Sequence, residues 1–188
     1  MTTAFKNVFY TGIGTSLSIT AVTPSSPTTG SVTLTFATQS VAPFVVGLGI
    51  VVSGVSISGY NGYYVVTACT TSSVTFSNST TGAATATSGV YGTVTASPLQ
   101  SNASANTTVI GFSLTNTTPS IIQASIQLQN TVSGTVAYYV NSVTIAPNTS
   151  LRAVTGGEKL ILTPSTNVIV TSNTANSIDC VMSWVEIS

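Results

Sequence analysis

Six side chains in this 188-residue sequence carry charge at neutral pH: Lys6, Arg152, Glu158, Lys159, Asp179 and Glu186. Histidine is absent. General acid–base catalysis needs a positioned titratable pair, and a hydrolytic metal needs clustered His, Cys or carboxylate ligands. Asp179 and Glu186 lie on one strand-like segment, where about 23 Å of extended chain separates them and alternation points them to opposite faces. They cannot form a dyad within one sheet. Cys69 and Cys180 match no metal-ligand spacing and are expected to be two small buried thiols rather than a disulfide. Gly156-Gly157 lacks the Gly-Lys-Ser/Thr ending of a phosphate loop and no helical pattern follows it, so a β-turn is expected there. Glu158 and Lys159, with Arg152 nearby, read as a solvated or subunit-crossing charge cluster, worth at most about 1 kcal/mol if exposed. With this inventory an enzyme is not expected, and neither is a cofactor or a metal.

The residues left to make contacts are aromatic or uncharged polar. Phe5, Phe9 and Tyr10 form one aromatic group and Tyr60, Tyr63, Tyr64 and Tyr91 another. The first group is a candidate interface anchor, and the second a candidate contact surface on a projecting module, since tyrosine suits half-buried contacts. Ordinary core and edge packing competes with both readings. Gln123, Gln127, Gln129 and Trp184 complete the candidate interface. Asn-X-Ser/Thr triplets at Asn78, Asn102, Asn106, Asn116 and Asn148 are expected by chance in a chain this rich in Ser and Thr.

Charged residues make up 3% of the chain and hydrophobic ones 43%, with mean hydropathy +0.49 and net charge zero. Disordered segments combine low hydropathy with high net charge, so a folded chain is expected. Direct nucleic-acid binding is not, because nothing could neutralise a row of phosphates. No apolar run approaches the roughly 18 residues of a membrane span, and the N-terminus has no secretory-signal layout, so no membrane partner is expected. Zero net charge favours self-association and hence a homo-oligomer.

Strand patterns fill the chain, broken by Gly, Pro and Asn clusters about every 8 to 12 residues, as in sandwiches and barrels. In 122–129, Ile122, Ala124, Ile126 and Leu128 alternate with Gln123, Ser125, Gln127 and Gln129, which predicts one core face and one wet or shared face. The segment 107–115 predicts a strand with Ile110, Phe112 and Leu114 on one side. The segment 177–187 is bulky on both faces, so it is either the central strand of a closed sandwich or a strand covered by a second sheet, the inserted module or a neighbouring subunit. Residues 24–30 and 97–102 read as linkers around a separate unit, in which Asn61-Gly62 marks a tight hairpin turn. Thr-rich triplets recur at no constant spacing, which disfavours a solenoid.

From Thr107-Thr108-Val109-Ile110-Gly111 onward, the sequence resembles a family of small structural proteins of tailed bacteriophages, especially those of cyanobacteria and marine bacteria. The similarity runs through Tyr138-Tyr139, Ile145 to Leu151, Gly156 to Leu162 and Ser177 to Ile187. Ala4 to Tyr10, with Gly14-Thr15-Ser16, resembles that family's opening strand. Gly47 to Gly89 is similar to a second phage-associated β module, through Val51 to Val55, Gly59 to Tyr63, Val65-Val66-Thr67 and Thr80 to Ala83. Leu48 stands where that module usually has Asp, and Ser165-Thr166 replace a Gly-Asp pair, so any turn those carboxylates cap is held differently here.

The resemblance implies an all-β chain: a split β-sandwich, jelly-roll-like or Ig-like, from residues 1–22 and 99–188, with residues 23–98 inserted as a small β-barrel or β-sandwich. Such an insertion costs little loop-closure entropy. The function expected is structural, in a virion assembled in the host cytoplasm, as a capsid decoration (cement) protein or a neck or tail protein. Its partners would be the major capsid protein or neck and tail proteins. The alternative is a receptor- or glycan-binding adhesin, although no residue pattern supports a glycan.

Overall fold

The computed structural model describes residues 2–24, 30–78 and 92–187. It is all-β, with one 3-10 turn at Ser58–Tyr60, and it divides into two units, Met1–Gly14 with Pro98–Ser188 and Thr15–Ser97. In chain order the strands are β1 (Thr3–Ile13), β2 (Leu17–Pro24), β3 (Ser31–Phe36), β4 (Gly49–Ser53), β5 (Gly62–Cys69), β6 (Ser73–Ser77) and β7 (Thr93–Ala96). There follow β8 (Leu99–Gln100), β9 (Asn106–Asn116), β10 (Ile122–Asn130), β11 (Val136–Ile145), β12 (Ser150–Val154), β13 (Leu160–Leu162), β14 (Thr166–Ser172) and β15 (Ile178–Ile187).

The inserted unit is a closed six-stranded barrel in the order β2-β3-β6-β5-β4-β7, so it has no free sheet edge. It starts at Thr15 rather than at 23, because β2 pairs with β3 and with β7 and thereby closes the barrel. Alternation fills its interior: Val32, Leu34 and Phe36 of β3, Val74 and Phe76 of β6 and Val66 of β5 are buried. Leu48 is fully buried among them. An unpaired carboxylate there would cost several kcal/mol, so the apolar residue suits the site. Asn61-Gly62 does not form a two-residue hairpin. Asn61 has φ −78°, and its side-chain amide pairs with both backbone groups of Val55 at 2.9 Å, standing in for a strand neighbour across the 54–61 connection. Gly49 is required by close approach: a Cβ there would meet the Ser97 carbonyl and the Tyr63 hydroxyl.

The split unit is a sandwich of two antiparallel sheets. One runs β1-β15-β9-β12, with β13 also on β9, and the other runs β11-β10-β14-β8. The segment 97–102 is thus not a linker: Leu99 and Gln100 pair with Val168 and Asn167 of β14. Ile122, Ala124 and Ile126 of β10 are buried as the alternation predicts, and so are Ile178, Cys180, Met182 and Trp184 of β15. The β9 pattern breaks. A bulge opposite Ser183 and Trp184 leaves Ile110 without a register partner, so Val109, Phe112 and Leu114 point inward while Ile110 is turned out and 39% exposed.

Neutral groups hold the turns. Asn116, fully buried at the end of β9, donates its amide to the carbonyls of Ser120 (2.8 Å), Ile145 (3.1 Å) and Ala146 (3.1 Å). Its Oδ1 accepts from the Thr118 N–H and hydroxyl. At the Ser165-Thr166 turn, Ser165 adopts φ +59° and a hydroxyl relay holds the backbone without a carboxylate: Thr166 N–H donates to Ser101 Oγ, which donates to the Thr163 carbonyl. Among the described residues one buried side-chain atom lacks a partner, Thr107 Oγ1.

Two substitutions with opposite signs follow from this accounting. Asn116→Ala leaves several buried carbonyls unpaired and should destabilise the sandwich by roughly 2–3 kcal/mol or more. Thr107→Val removes an unpaired hydroxyl at nearly constant volume and should be neutral or stabilising by up to about 1 kcal/mol. Urea denaturation of both variants checks the pair, and a destabilised Thr107→Val would show that the hydroxyl is in fact satisfied.

Candidate protein interface

Phe5, Asn7 and Phe9 on β1 lie opposite Val185, Ser183 and Val181 on β15. Because residues in register share a face and Met182 and Trp184 point into the core, this row faces outward. Phe5 is 77% exposed and Phe9 67%, next to Val181 at 43% and Ile110 at 39%. Gly111, also on this face, presents no side chain. Beside it Ile110, Ser113, Arg152, Val181 and Ser183 line an open depression of about 240 Å³, and a second of about 320 Å³ lies by Phe5, Asn7 and Ile110. Arg152, opposite Ser113, lies on this outer face, as does Asp179 opposite Thr115, and Arg152 makes no ion pair among the described residues.

The other candidate residues divide. Tyr10 is half-buried, and burial next to Cys180 raises its pKa. Gln123 is exposed, whereas Gln127 and Gln129 are half-buried, and Gln129 Oε1 accepts from Asn167 Nδ2 at 3.0 Å. Trp184 is not an interface residue: it is 7% exposed, packed in the sandwich core, with Nε1 donating to Glu186 at 2.9 Å. Glu186 also accepts from Lys6 Nζ at 2.7 Å, the one ion pair among the described residues. The Lys6 and Trp184 hydrogen bonds together hold the carboxyl below the usual glutamate range.

The three described tyrosines of the second group differ in depth. Tyr60 is fully buried in the barrel, and burial raises the pKa of its hydroxyl. Tyr64 stacks on Phe76 with ring centroids 4.1 Å apart and receives a 3.1 Å hydrogen bond from Asn78 Nδ2, and burial raises its pKa as well. Tyr63 is half-buried against Gly49. Tyr91 lies outside the described residues.

Apolar groups that the alternation did not single out are also exposed. On the second sheet and its turn Tyr138 is 57% exposed, Val136 48% and Val132 83%, and on β13 of the first sheet Ile161 is 71% exposed. The signal for β11 was the run Val136 to Val140, which is apolar on both faces and therefore cannot be wholly internal at a sheet edge.

The chemistry of the remaining groups is local. Asp179 Oδ1 accepts from Gly12 N–H at 3.2 Å, and Glu158 accepts from the Thr155 hydroxyl. Both cysteines are free. Cys180 is buried, its thiol pushed up to about 12, first by burial and then by the Asp179 charge. Cys69 is half-exposed rather than buried, with its pKa also raised by desolvation. Among the described residues no group of three or more His, Cys, Asp or Glu side chains could hold a metal.

Two measurements follow. Glu186 has a folded pKa below its unfolded value of about 4.3, so the stability it confers is present above that value and is lost as pH falls through the lowered folded pKa. Lys6→Met should raise the Glu186 pKa towards the ordinary glutamate value in an NMR titration and move acid unfolding to higher pH. Cys180 should resist alkylation in the native protein at pH 8, because almost none of it is thiolate, and Cys69 should react first. Mass-spectrometric mapping of the labelled thiol checks this, and equal labelling would refute it.

Compared with models of protein families, with curated proteins and with solved structures, the chain matches none.

Proposed function

We propose that this chain is a structural component of a tailed-bacteriophage virion, a capsid decoration (cement) protein or a neck or tail protein, and that it works by protein–protein contact. One observation carries the reading: the sandwich exposes Phe5, Phe9, Val136, Tyr138 and Ile161 on a surface with almost no charged side chains. A Lys- or Glu-rich surface must be desolvated at a cost when it docks, whereas Ser, Thr and Gln faces lose little and apolar groups gain about 25 cal/mol per Å². The resemblance of 107–187 to phage structural proteins supports the same reading, and it supplies the expected partners, the major capsid protein or neck and tail proteins. Contacts that are individually modest become firm when a symmetric particle repeats them.

The adhesin alternative rested on the tyrosines of the inserted module, and two of the three that the structure describes are engaged inside the barrel, Tyr60 in its core and Tyr64 stacked on Phe76. No observation here favours it.

Copy number in purified particles tests the proposal. Quantitative mass spectrometry against the major capsid protein should find this chain in mature virions, with on the order of hundreds of copies for a capsid site and about six or twelve for a neck or tail site. Its absence from mature particles would end the proposal.

A further inference from the structure

The edges of the sandwich are treated unequally. An edge strand offers unpaired N–H and C=O groups to any passing strand, and proteins blunt it by shortness, bulges, proline or charge. On the second sheet, β11 has two register breaks against β10, between Ala124 and Ile126 and between Ile126 and Gln127, with Ser142 at φ +50°. At that sheet's other edge, β8 is two residues long. On the first sheet the far edge is split into β12, five residues with a bulge at Arg152/Val154, and β13, three residues.

The β1 edge has none of these devices over most of its length. β1 has eleven residues, pairs with β15 alone among the described residues, and keeps unbroken register from Thr3 to Tyr10. It contains no proline. Its one charge, Lys6, is tied to Glu186 at 2.7 Å and alternates away from the face that carries Phe5 and Phe9.

We propose that β1 pairs antiparallel with β1 of a second copy about a two-fold axis at Asn7, extending the sheet through both subunits. This names one partner for the contact-based function proposed above and rests on that reading. The sequence around Asn7 is self-complementary in that register. Phe5 of each copy lies opposite the other's Phe9 on the outer face, Asn7 faces Asn7, and Lys6 faces Val8, so no like charges meet. Shifting the axis to Lys6 would set lysine against lysine, which disfavours that register. Four phenylalanines, each able to cover about 150–250 Å², would remove on the order of 500 Å² from water, and with the strand edge the total stays below the ~1,200–2,000 Å² of stable complexes. The pair is a weak, concentration-dependent dimer that repetition on a particle consolidates.

The test uses the full chain. Sedimentation should show a monomer–dimer equilibrium, abolished by the double substitution Phe5→Lys/Phe9→Lys, which sets like charges opposite one another. In a Cys69→Ser background, Asn7→Cys should form a covalent dimer under mild oxidation at least about tenfold faster than Val136→Cys on the bulged β11 edge, since residues facing each other across an antiparallel pair fall within disulfide range. If the double variant fails to fold, the cysteine comparison still decides. A wild-type chain that stays monomeric, or an Asn7→Cys variant that cross-links no faster than Val136→Cys, overturns the pairing. A monomer that still incorporates into particles overturns the pairing alone and leaves the structural role standing. A dimer found in no particle supports the pairing and removes that role.

Discussion

Between Asn7 and Leu151 the chain has no ionisable acid or base other than cysteine and tyrosine, so most polar atoms it takes out of water are paired by neutral groups. That constraint explains most of the local structure. Where strands meet, hydroxyls face hydroxyls in register: Thr33 with Thr75 at 2.9 Å, Ser53 with Thr93 at 3.2 Å and Thr115 with Ser150 at 2.8 Å. Each such cross-strand pair contributes only a few tenths of a kcal/mol to about 1 kcal/mol, but none requires a charge to be desolvated. At turns, Asn61 and Asn116 do with amides what a capping carboxylate does elsewhere, and an amide offers donors as well as an acceptor, so one side chain can serve several backbone groups.

The same economy governs the few charges that remain. Lys6 and Glu186 satisfy each other across β1 and β15, and Trp184 adds a second bond to the carboxylate, so the ion pair works as a clasp at the end of the sheet. Arg152 has no ion pair among the described residues and lies on the outer face beside the gap that Gly111 leaves. The result is a sandwich whose buried side-chain polar atoms are paired, Thr107 Oγ1 apart among the described residues, and whose outer surface holds large apolar groups.

Fold class was legible in the sequence because it rests on period-two alternation and on turn residues, both of which are local. Ile122 to Ile126 and Ile178 to Trp184 read correctly for that reason, whereas Gln127, Leu128 and Gln129 are all half-buried. Three features were not legible, each set by something distant. The inward phase of β9 switches at a bulge whose partner lies more than seventy positions away on β15, so Ile110 looked like core and is not. The barrel begins at Thr15 because β7 needs a partner to close it, which the composition shift near Pro24 could not reveal. Asn61-Gly62 carries the signature of a tight hairpin, but the connection from β4 to β5 is longer, and the Asn side chain spans it instead. The candidate contact residues follow the same rule. Phe5 and Phe9 are exposed whereas Trp184 and Tyr60 are buried, because aromatic type says nothing about depth.

Edge treatment connects these observations to assembly. A charge-poor, apolar-surfaced β protein is exposed to unwanted strand addition, since charged edge residues are the commonest defence and this chain has almost none. The defences present are therefore geometric: the inserted unit closes on itself, β11 and β12 bulge, and β8 and β13 are cut short. Leaving β1 long and regular against that background is informative, because it would be the first place for indiscriminate association. What restricts it is sequence rather than shape. With Phe5 and Phe9 on one face, Lys6 on the other and register kept by β15, the strand favours one antiparallel alignment with its own copy and penalises its neighbour, so an edge that would otherwise be a liability becomes selective.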